Sequence, residues 1–297
     1  MASKGSSGAG ASAAGTSATV QVARTVSELR GIVAGWRRAG ETLGLVPTMG
    51  ALHEGHSALV RAAKSRCSRA VVSIFVNPTQ FAPNEDFDKY PRTFDDDLAK
   101  VAAAGGDLVW APVVKEMYRD GAATRVVPKG AALGLETDFR PHFFEGVATV
   151  CCKLFTQVGP DIALFGEKDY QQLAVVTQMV RDLDLPLQIV GHPTIREPDG
   201  LAMSSRNRYL SSDERARAVT IHKVINDVAG AARSGDPAAA ISAGEARLTA
   251  AGFGKIDYVA VRDAVTFGAY DRASGRPGRV LAAAWLGKTR LIDNVAV

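Results

Sequence analysis

Two histidines and two glycines lie close together in residues 47–56, Pro-Thr-Met-Gly-Ala-Leu-His-Glu-Gly-His. His53 and His56 are three residues apart, so one helical turn places both imidazoles on the same face. Beside a helix N-terminus, two imidazoles can donate hydrogen bonds to phosphate oxygens and stabilise the charge that builds up as a phosphoryl bond breaks. Gly50 and Gly55 let the backbone approach a ligand closely. The segment therefore predicts phosphate chemistry.

Two other interpretations of this segment stay open. A zinc site of the His-Glu-x-x-His kind needs histidines four residues apart, whereas His53 and His56 are three apart and the sequence suggests no third ligand. Alternatively, both are ordinary surface histidines in a turn. The chain has only five histidines, and two of them fall in this one loop, a kind of segment that often carries function. Phosphate binding and an ordinary surface turn therefore both stay open as interpretations.

Two further polar segments suit phosphate or carboxylate binding. Residues 166–172, Gly-Glu-Lys-Asp-Tyr-Gln-Gln, offer Asp169 as a helix N-cap and Lys168 as a point charge. Residues 201–207, Leu-Ala-Met-Ser-Ser-Arg-Asn, offer two hydroxyls and the Arg206 guanidinium, which can bind two phosphate oxygens at once. Each segment alone is equally compatible with solvated charges at a helix start or with an ordinary loop.

The polar segments lie between predicted strands and helices, which apolar runs and helical periodicity locate along the chain. Strands are predicted at residues 43–46, 70–76, 107–110, 162–165 and 187–190, and helices at 25–39, 56–69, 95–104, 147–158 and 169–183. This alternation predicts an α/β fold, a Rossmann-like parallel sheet with helices on both faces. Beyond residue 195 the pattern predicts helices at 212–233 and 237–251 and strands at 256–261, 280–286 and 289–292, a smaller C-terminal α+β domain with antiparallel strands.

The 297 residues thus divide into three predicted parts. Residues 1–19, almost entirely Gly, Ala, Ser and Thr, are expected to be a disordered low-complexity extension. Residues 20–194 are expected to form the nucleotide-binding domain, and residues 195–297 the smaller domain.

Composition excludes several classes of protein. With 46% hydrophobic and 22% charged residues the chain is not wholly disordered, and no apolar run approaches the roughly 18 residues of a membrane-spanning helix. A net charge of +4 fits an anionic small ligand without requiring nucleic acid. The three cysteines suggest no disulfide framework, which favours a reducing compartment, the cytoplasm.

Taken together, the three polar segments resemble the pantothenate synthetase family, in the nucleotidyltransferase group with a His-x-Gly-His signature. Residues 74–81, Ile-Phe-Val-Asn-Pro-Thr-Gln-Phe, and residues 199–207 extend the resemblance, which runs from about Val22 to residues 287–294. It implies an ATP-dependent, AMP-forming ligase of coenzyme A biosynthesis. Pantoate attacks the α-phosphate of ATP with Mg²⁺, and β-alanine then attacks the pantoyl adenylate, giving pantothenate. The resemblance also implies a homodimer.

The resemblance assigns roles to individual residues. His53, His56 and Lys168 are the implied catalytic residues, with His56 in a proton-donating or charge-stabilising role. Asn77, Gln80 and Gln172 would hold pantoate, with Gln80 also near β-alanine. Ile195 would lie near adenine, and ATP would be contacted by Met49, Gly50, Ala51, Leu52, His53, Glu54, Gly55, His56, Gly166, Glu167, Lys168, Asp169, Ile195, Met203, Ser204, Ser205 and Arg206.

Departures and alternatives remain. Arg140-Pro141 is followed by His142 rather than the Gly-His of many family members, so no role is assigned to His142. Met-Ser-Ser-Arg has one arginine where the second signature of the related tRNA synthetases has two lysines, which separates this chain from them. One alternative is a nucleotidyltransferase that adenylylates another carboxylate or a phosphate. A non-enzymatic nucleic-acid binder is the other, although the chain lacks a basic stripe with interleaved aromatic residues.

Overall fold

The computed structural model describes residues 20–83 and 85–297. The extension predicted at residues 1–19 lies outside the described residues.

Six strands form one parallel sheet: β1 (Gln21–Ala23), β2 (Leu43–Thr48), β3 (Arg69–Ile74), β4 (Leu108–Trp110), β5 (Ile162–Gly166) and β6 (Gln188–His192). Their spatial order is β1-β4-β3-β2-β5-β6. The chain moves outward from β2 in one direction through β3 and in the other through β5. The carboxyl ends of β2 and β5 therefore flank a topological switch point, where open α/β sheets bind ligands.

The helices that pack around this sheet in the described residues are α1 (Val26–Arg38), α2 (Glu54–Lys64), α3 (Phe94–Ala103), α4 (Val114–Met117), α5 (Glu136–Phe139), α6 (Phe143–Val158) and α7 (Tyr170–Asp182). Successive strand residues point to opposite faces, so Leu45 packs with α1, α6 and α7 whereas Val46 packs with α2 and α3. Helices thus cover both faces, and the predicted α/β fold is confirmed.

The C-terminal part has a three-stranded antiparallel sheet of β7 (Phe253–Asp263), β8 (Gly278–Leu286) and β9 (Thr289–Ala296). Three helices accompany it: α8 (Ser212–Ala218), α9 (Thr220–Ser234) and α10 (Ala238–Ala250). Apolar residues of α9, such as Ile225, pack with alternate residues of β8, such as Ala282. The predicted small antiparallel region is therefore present, while the domain boundary at residue 195 stays a prediction.

Several predicted element bounds were wrong. The predicted helix 56–69 is α2, which begins at Glu54 because His53 caps it and ends before Arg69, the first residue of β3. The predicted helix 212–233 is divided into α8 and α9 at Val219. Strand β1 was not predicted, since three residues with only Ala23 fully buried carry too little periodicity. In the described part of the chain, no helix has the length and apolarity to cross a membrane.

Candidate active site

A buried carboxylate holds the loop that follows β2. The Asp97 side chain accepts hydrogen bonds from the backbone N–H groups of Ala51, at 2.9 Å, and Leu52, at 2.7 Å. Ala51 has a φ of 51°, which residues with a Cβ rarely adopt, and these two hydrogen bonds help to hold the backbone there. A Cβ at Gly50, where φ is +83°, would lie 3.1 Å from the same carboxylate, so this glycine accommodates Asp97.

Asp97 was not a predicted site residue. It follows two exposed acidic residues at the start of α3, an ordinary place for acidic side chains, and its loop partners are 45 and 46 residues away. No local sequence signal distinguishes it from its neighbours.

The loop leads directly into the two histidines. The Nδ1 atom of His53 accepts a hydrogen bond from the Gly55 N–H at 3.2 Å, and the Nδ1 atom of His56 accepts one from the His53 N–H at 3.2 Å. A neutral imidazole that accepts at Nδ1 carries its proton on Nε2. Among the described residues neither Nε2 has a hydrogen-bond partner, and the ring centroids are 4.1 Å apart. The pair thus offers two adjacent N–H donors.

Both imidazoles are held in the neutral form. Burial and then the positive charge of Lys168 lower the pKa of His53 to about 4. Burial, followed by His53 and Lys168, holds the pKa of His56 well below its ordinary value. At neutral pH the rings therefore donate hydrogen bonds without carrying charge. Which of the two roles predicted for His56 it takes stays a prediction.

Gly55 is required by the ring of His53. A Cβ at this position would lie 2.9 Å from Cε1 of His53. The glycine therefore lets the imidazole fold over the first turn of α2, where it caps the helix.

The turn after β5 carries Lys168. Residues Glu167–Asp169 form a 3-10 turn, and α7 begins directly after it. Asp169 occupies the N-cap position of α7 as predicted, but its side chain makes no capping hydrogen bond. Its carboxylate lies 3.4 Å from Nζ of Lys168 instead.

The predicted acid-binding residues Asn77 and Gln80 are joined by hydrogen bonds. Nδ2 of Asn77 donates to Oε1 of Gln80 at 3.0 Å and to the Gly146 carbonyl of α6 at 3.1 Å. Oδ1 of Asn77 accepts from the Tyr118 hydroxyl at 2.8 Å. Since Asn77 is 1% exposed and these contacts occupy its amide, it orients Gln80 within the site.

The predicted phosphate-binding loop at residues 203–206 contacts the segment that follows Gln80. Arg206 donates to both carboxylate oxygens of Asp86, from Nη2 at 2.9 Å and from Nε at 3.2 Å. The Ser205 hydroxyl lies 3.1 Å from the hydroxyl of Tyr90. A phosphate at Arg206 therefore competes with Asp86 for the guanidinium.

All these segments meet at one cavity of about 1030 Å³ between the carboxyl edge of the parallel sheet and the C-terminal part. This volume suits a nucleotide together with a small acid. The predicted residues that line it are Met49, His53, Gly55, His56, Asn77, Gln80, Gly166, Lys168, Asp169, Gln172, Ile195, Met203, Ser204, Ser205 and Arg206.

The predicted residues that do not line the cavity are Gly50, Ala51, Leu52, Glu54 and Glu167. Ala51 and Leu52 are buried in the core, and Glu54 and Glu167 form ion pairs with Arg61 and Arg279. Their part in ATP binding stays a prediction.

The cavity also has lining residues that were not predicted, among them Tyr90, Glu136, Arg140 and Tyr258. Arg140 pairs with Glu85, and Glu136 accepts from Tyr258 of β7. The Arg140-Pro141 pair could be seen in the sequence. The hydrogen bond between Glu136 and Tyr258 joins residues 122 positions apart, so no local pattern indicated it.

Comparison with known proteins decides the family. The sequence model described as pantoate-beta-alanine ligase matches residues 21–296. The chain belongs to the pantoate–β-alanine ligase family. One member of this family, the pantothenate synthetase of Bradyrhizobium sp. (strain BTAi1 / ATCC BAA-1182), is 57% identical over 283 residues, which is 95% of this chain and 100% of that protein.

Solved structures of pantoate–β-alanine ligases share the fold. Pantothenate synthetase from Thermus thermophilus has a TM-score of 0.85 and 44% identity, covering 93% of this chain and 99% of that one. Pantoate–β-alanine ligase from Francisella tularensis, complexed with Beta-gamma ATP and β-alanine, has a TM-score of 0.79 and 33% identity, covering 93% and 97%.

Proposed function

We propose that the chain condenses pantoate with β-alanine at the expense of ATP, through a pantoyl-adenylate intermediate, and releases AMP and pyrophosphate. One observation carries the proposal: the adjacent Nε2–H donors of His53 and His56 share a single cavity with Lys168 and with the amides of Gln80 and Gln172. Phosphate-binding and acid-binding groups thus lie together, as this reaction requires. The Francisella tularensis relative, complexed with Beta-gamma ATP and β-alanine, supports the same substrates.

In the first step, a carboxylate oxygen of pantoate attacks the α-phosphorus of ATP, and the bond from that phosphorus to the oxygen bridging to the β-phosphate breaks. Negative charge moves onto the departing pyrophosphate. His53 and His56 donate hydrogen bonds to phosphate oxygens and Lys168 supplies positive charge, which stabilises this transfer. Ile195 packs near adenine, and residues 203–206 bind the outer phosphates.

In the second step, the amine of β-alanine attacks the acyl carbon of pantoyl adenylate. The bond from that carbon to the phosphate oxygen breaks, AMP leaves, and the new amide nitrogen loses a proton to solvent. The adenylate is needed because a free carboxylate is a poor acyl donor. Gln80 and Gln172 hold the pantoyl group, and Asn77 fixes Gln80. The enzyme contributes mainly by holding the reactants in the orientation that each attack requires.

Mg²⁺ fits this site as an ion carried mainly by the phosphates of ATP. Among residues 20–83 and 85–297, no group of three His, Cys, Asp or Glu side chains is placed to hold a metal. Mg²⁺ commonly takes one or two carboxylates together with substrate phosphates and water. The Asp169 carboxylate, which lines the cavity, would be such a ligand. The bound ion would neutralise phosphate charge.

We also propose a division into two domains, an oligomeric state and a cellular compartment. The boundary between a nucleotide-binding domain and a smaller domain is placed at residues 194 and 195, where the chain has left β6. We propose a homodimer in the cytoplasm. The cysteines of the described residues, Cys67, Cys151 and Cys152, are free thiols, which is consistent with a reducing compartment.

The test is product analysis with pantoate, β-alanine and ATP. We expect pantothenate and AMP in equal amounts, and pantoate-dependent exchange of pyrophosphate into ATP without β-alanine. ADP as the nucleotide product would rule out the adenylate. Exchange with a panel of other acids separates this function from that of a nucleotidyltransferase with a different substrate.

A further inference from the structure

Strand β9 of the C-terminal sheet contacts the turn that carries Lys168. Nδ2 of Asn294 donates to the backbone carbonyl of Glu167 at 2.9 Å and to that of Lys168 at 2.8 Å. Two consecutive carbonyls of a 3-10 turn are thereby bound by one amide group, although the residues are 127 and 126 positions apart in sequence.

The remaining polar atom of this amide is also engaged. Oδ1 of Asn294 accepts from Nε of Arg279 at 2.7 Å, and Nη2 of Arg279 donates to the carboxylate of Glu167 at 3.1 Å. The guanidinium lies 4.0 Å from the ring centroid of Tyr170, the first residue of α7. Asn294 is 2% exposed, so its hydrogen bonds are shielded from water and its orientation is fixed.

The backbone of Asn294 is itself anchored. Its N–H donates to Oδ1 of Asp293 at 2.7 Å, and its carbonyl accepts from Arg196 at 3.3 Å. The buried Asp293 carboxylate in turn accepts from Nη1 and Nη2 of Arg196 at 2.7 and 2.9 Å. Arg196 follows Ile195 directly, so the strand that holds the Lys168 turn is also tied to the start of the loop leading to residues 203–206.

We infer that Asn294 is a positioning residue for Lys168: it fixes the backbone from which the lysine side chain enters the cavity and thereby sets the position of the ammonium against ATP. The inference rests on the phosphate-binding role proposed for Lys168. A short side chain in its place would remove the Asn294 donor from both carbonyls, and the turn would rearrange to recover hydrogen bonds. The Lys168 side chain would still be present, but the backbone that carries it would no longer be held in one position.

The test is a double-mutant cycle in pantoate-dependent ATP–pyrophosphate exchange. We expect Asn294→Ala to lower kcat/KM for ATP about 10- to 100-fold, the effect of losing a buried hydrogen-bonded contact, with KM for pantoate changed by less than about twofold. In a Lys168→Ala background the same substitution should cost less than about threefold, because the residue it acts through is gone.

Equal losses in both backgrounds, or a wild-type kcat/KM for Asn294→Ala, would overturn the inference. If Asn294→Ala does not fold, Asn294→Asp replaces it, since this variant keeps the size and the contact with Arg279 but cannot donate to both carbonyls. Val280→Ala is the control: it removes apolar volume from the same sheet and should lower the melting temperature without changing exchange. Wild-type protein that shows no exchange contradicts the proposed function instead.

Discussion

The carboxylate of Asp97 accepts a hydrogen bond of 2.9 Å from the backbone N–H of Ala51, the residue at which the loop after β2 adopts a positive φ. A helix on one face of the sheet thereby determines the path of the chain into His53. The arrangement uses both carboxylate oxygens of Asp97, one for the N–H of Ala51 and one for the N–H of Leu52.

Asp97→Asn tests this relationship. The amide places an N–H₂ group against a backbone N–H, so one buried donor loses its acceptor. We expect the free energy of unfolding to fall by about 1–3 kcal/mol, measured by urea denaturation. Pyrophosphate exchange should fall with it because the histidine loop shifts. Asp96→Asn, at the exposed neighbouring position, should retain wild-type stability and exchange, and equal behaviour of the two variants would contradict the assignment.

His56→Ala removes one of the two Nε2–H donors. We expect exchange to fall about 10²- to 10³-fold, the usual cost of losing one preorganised donor to developing charge. Circular dichroism should show an unchanged fold. The matched variant His142→Ala changes an exposed histidine to which no role is assigned and should leave exchange near the wild-type rate. Near-normal exchange in His56→Ala would remove this residue from the mechanism.

The lowered pKa of His53 makes stability depend on pH. Burial places this pKa at about 4 in the folded protein, below the ordinary value of 6.5. Between these two values the unfolded chain binds more protons at His53, so the contribution of His53 to stability is complete above pH 6.5 and is lost as the pH falls towards 4. Urea midpoints measured between pH 7.5 and 4.5 should decline less steeply for His53→Gln than for the wild type. Identical slopes would show that His53 titrates normally.

Gly146→Ala tests the contact between α6 and the turn that carries Gln80. A Cβ at this position would lie 2.4 Å from the Thr79 carbonyl oxygen and 2.8 Å from the Gln80 nitrogen, both backbone atoms that cannot rotate away. We expect a loss of about 1–3 kcal/mol in unfolding free energy and a raised KM for pantoate.

Gly35→Ala is the matched control for that prediction. Gly35 lies within α1, where no atom comes within 4 Å of an added Cβ. This substitution should stabilise the protein by about 0.5–1 kcal/mol and leave the KM for pantoate unchanged. A pantoate KM that stays at the wild-type value in Gly146→Ala would show that the turn does not depend on this close approach.

The sequence by itself determined the features that depend on neighbours in the chain. Apolar runs and helical periodicity located the strands that end before residues 47–56 and 166–172, and the types of residue in those loops indicated phosphate chemistry. Parallel strands bring their carboxyl ends to one edge, so the meeting of both loops at one cavity also followed from the local patterns.

Only the tertiary structure decided how those side chains are held. Asp97, Gly146 and Asn294 act on loops 45 to 127 residues away, and each resembles an ordinary acidic residue, helix glycine or strand amide in its own segment. The protonation of His53 and His56 likewise depends on burial and on Lys168, which lies beyond the reach of local periodicity. Burial, close approach and electrostatic environment are properties of the packed chain, and they convert a recognisable set of residues into an ordered site.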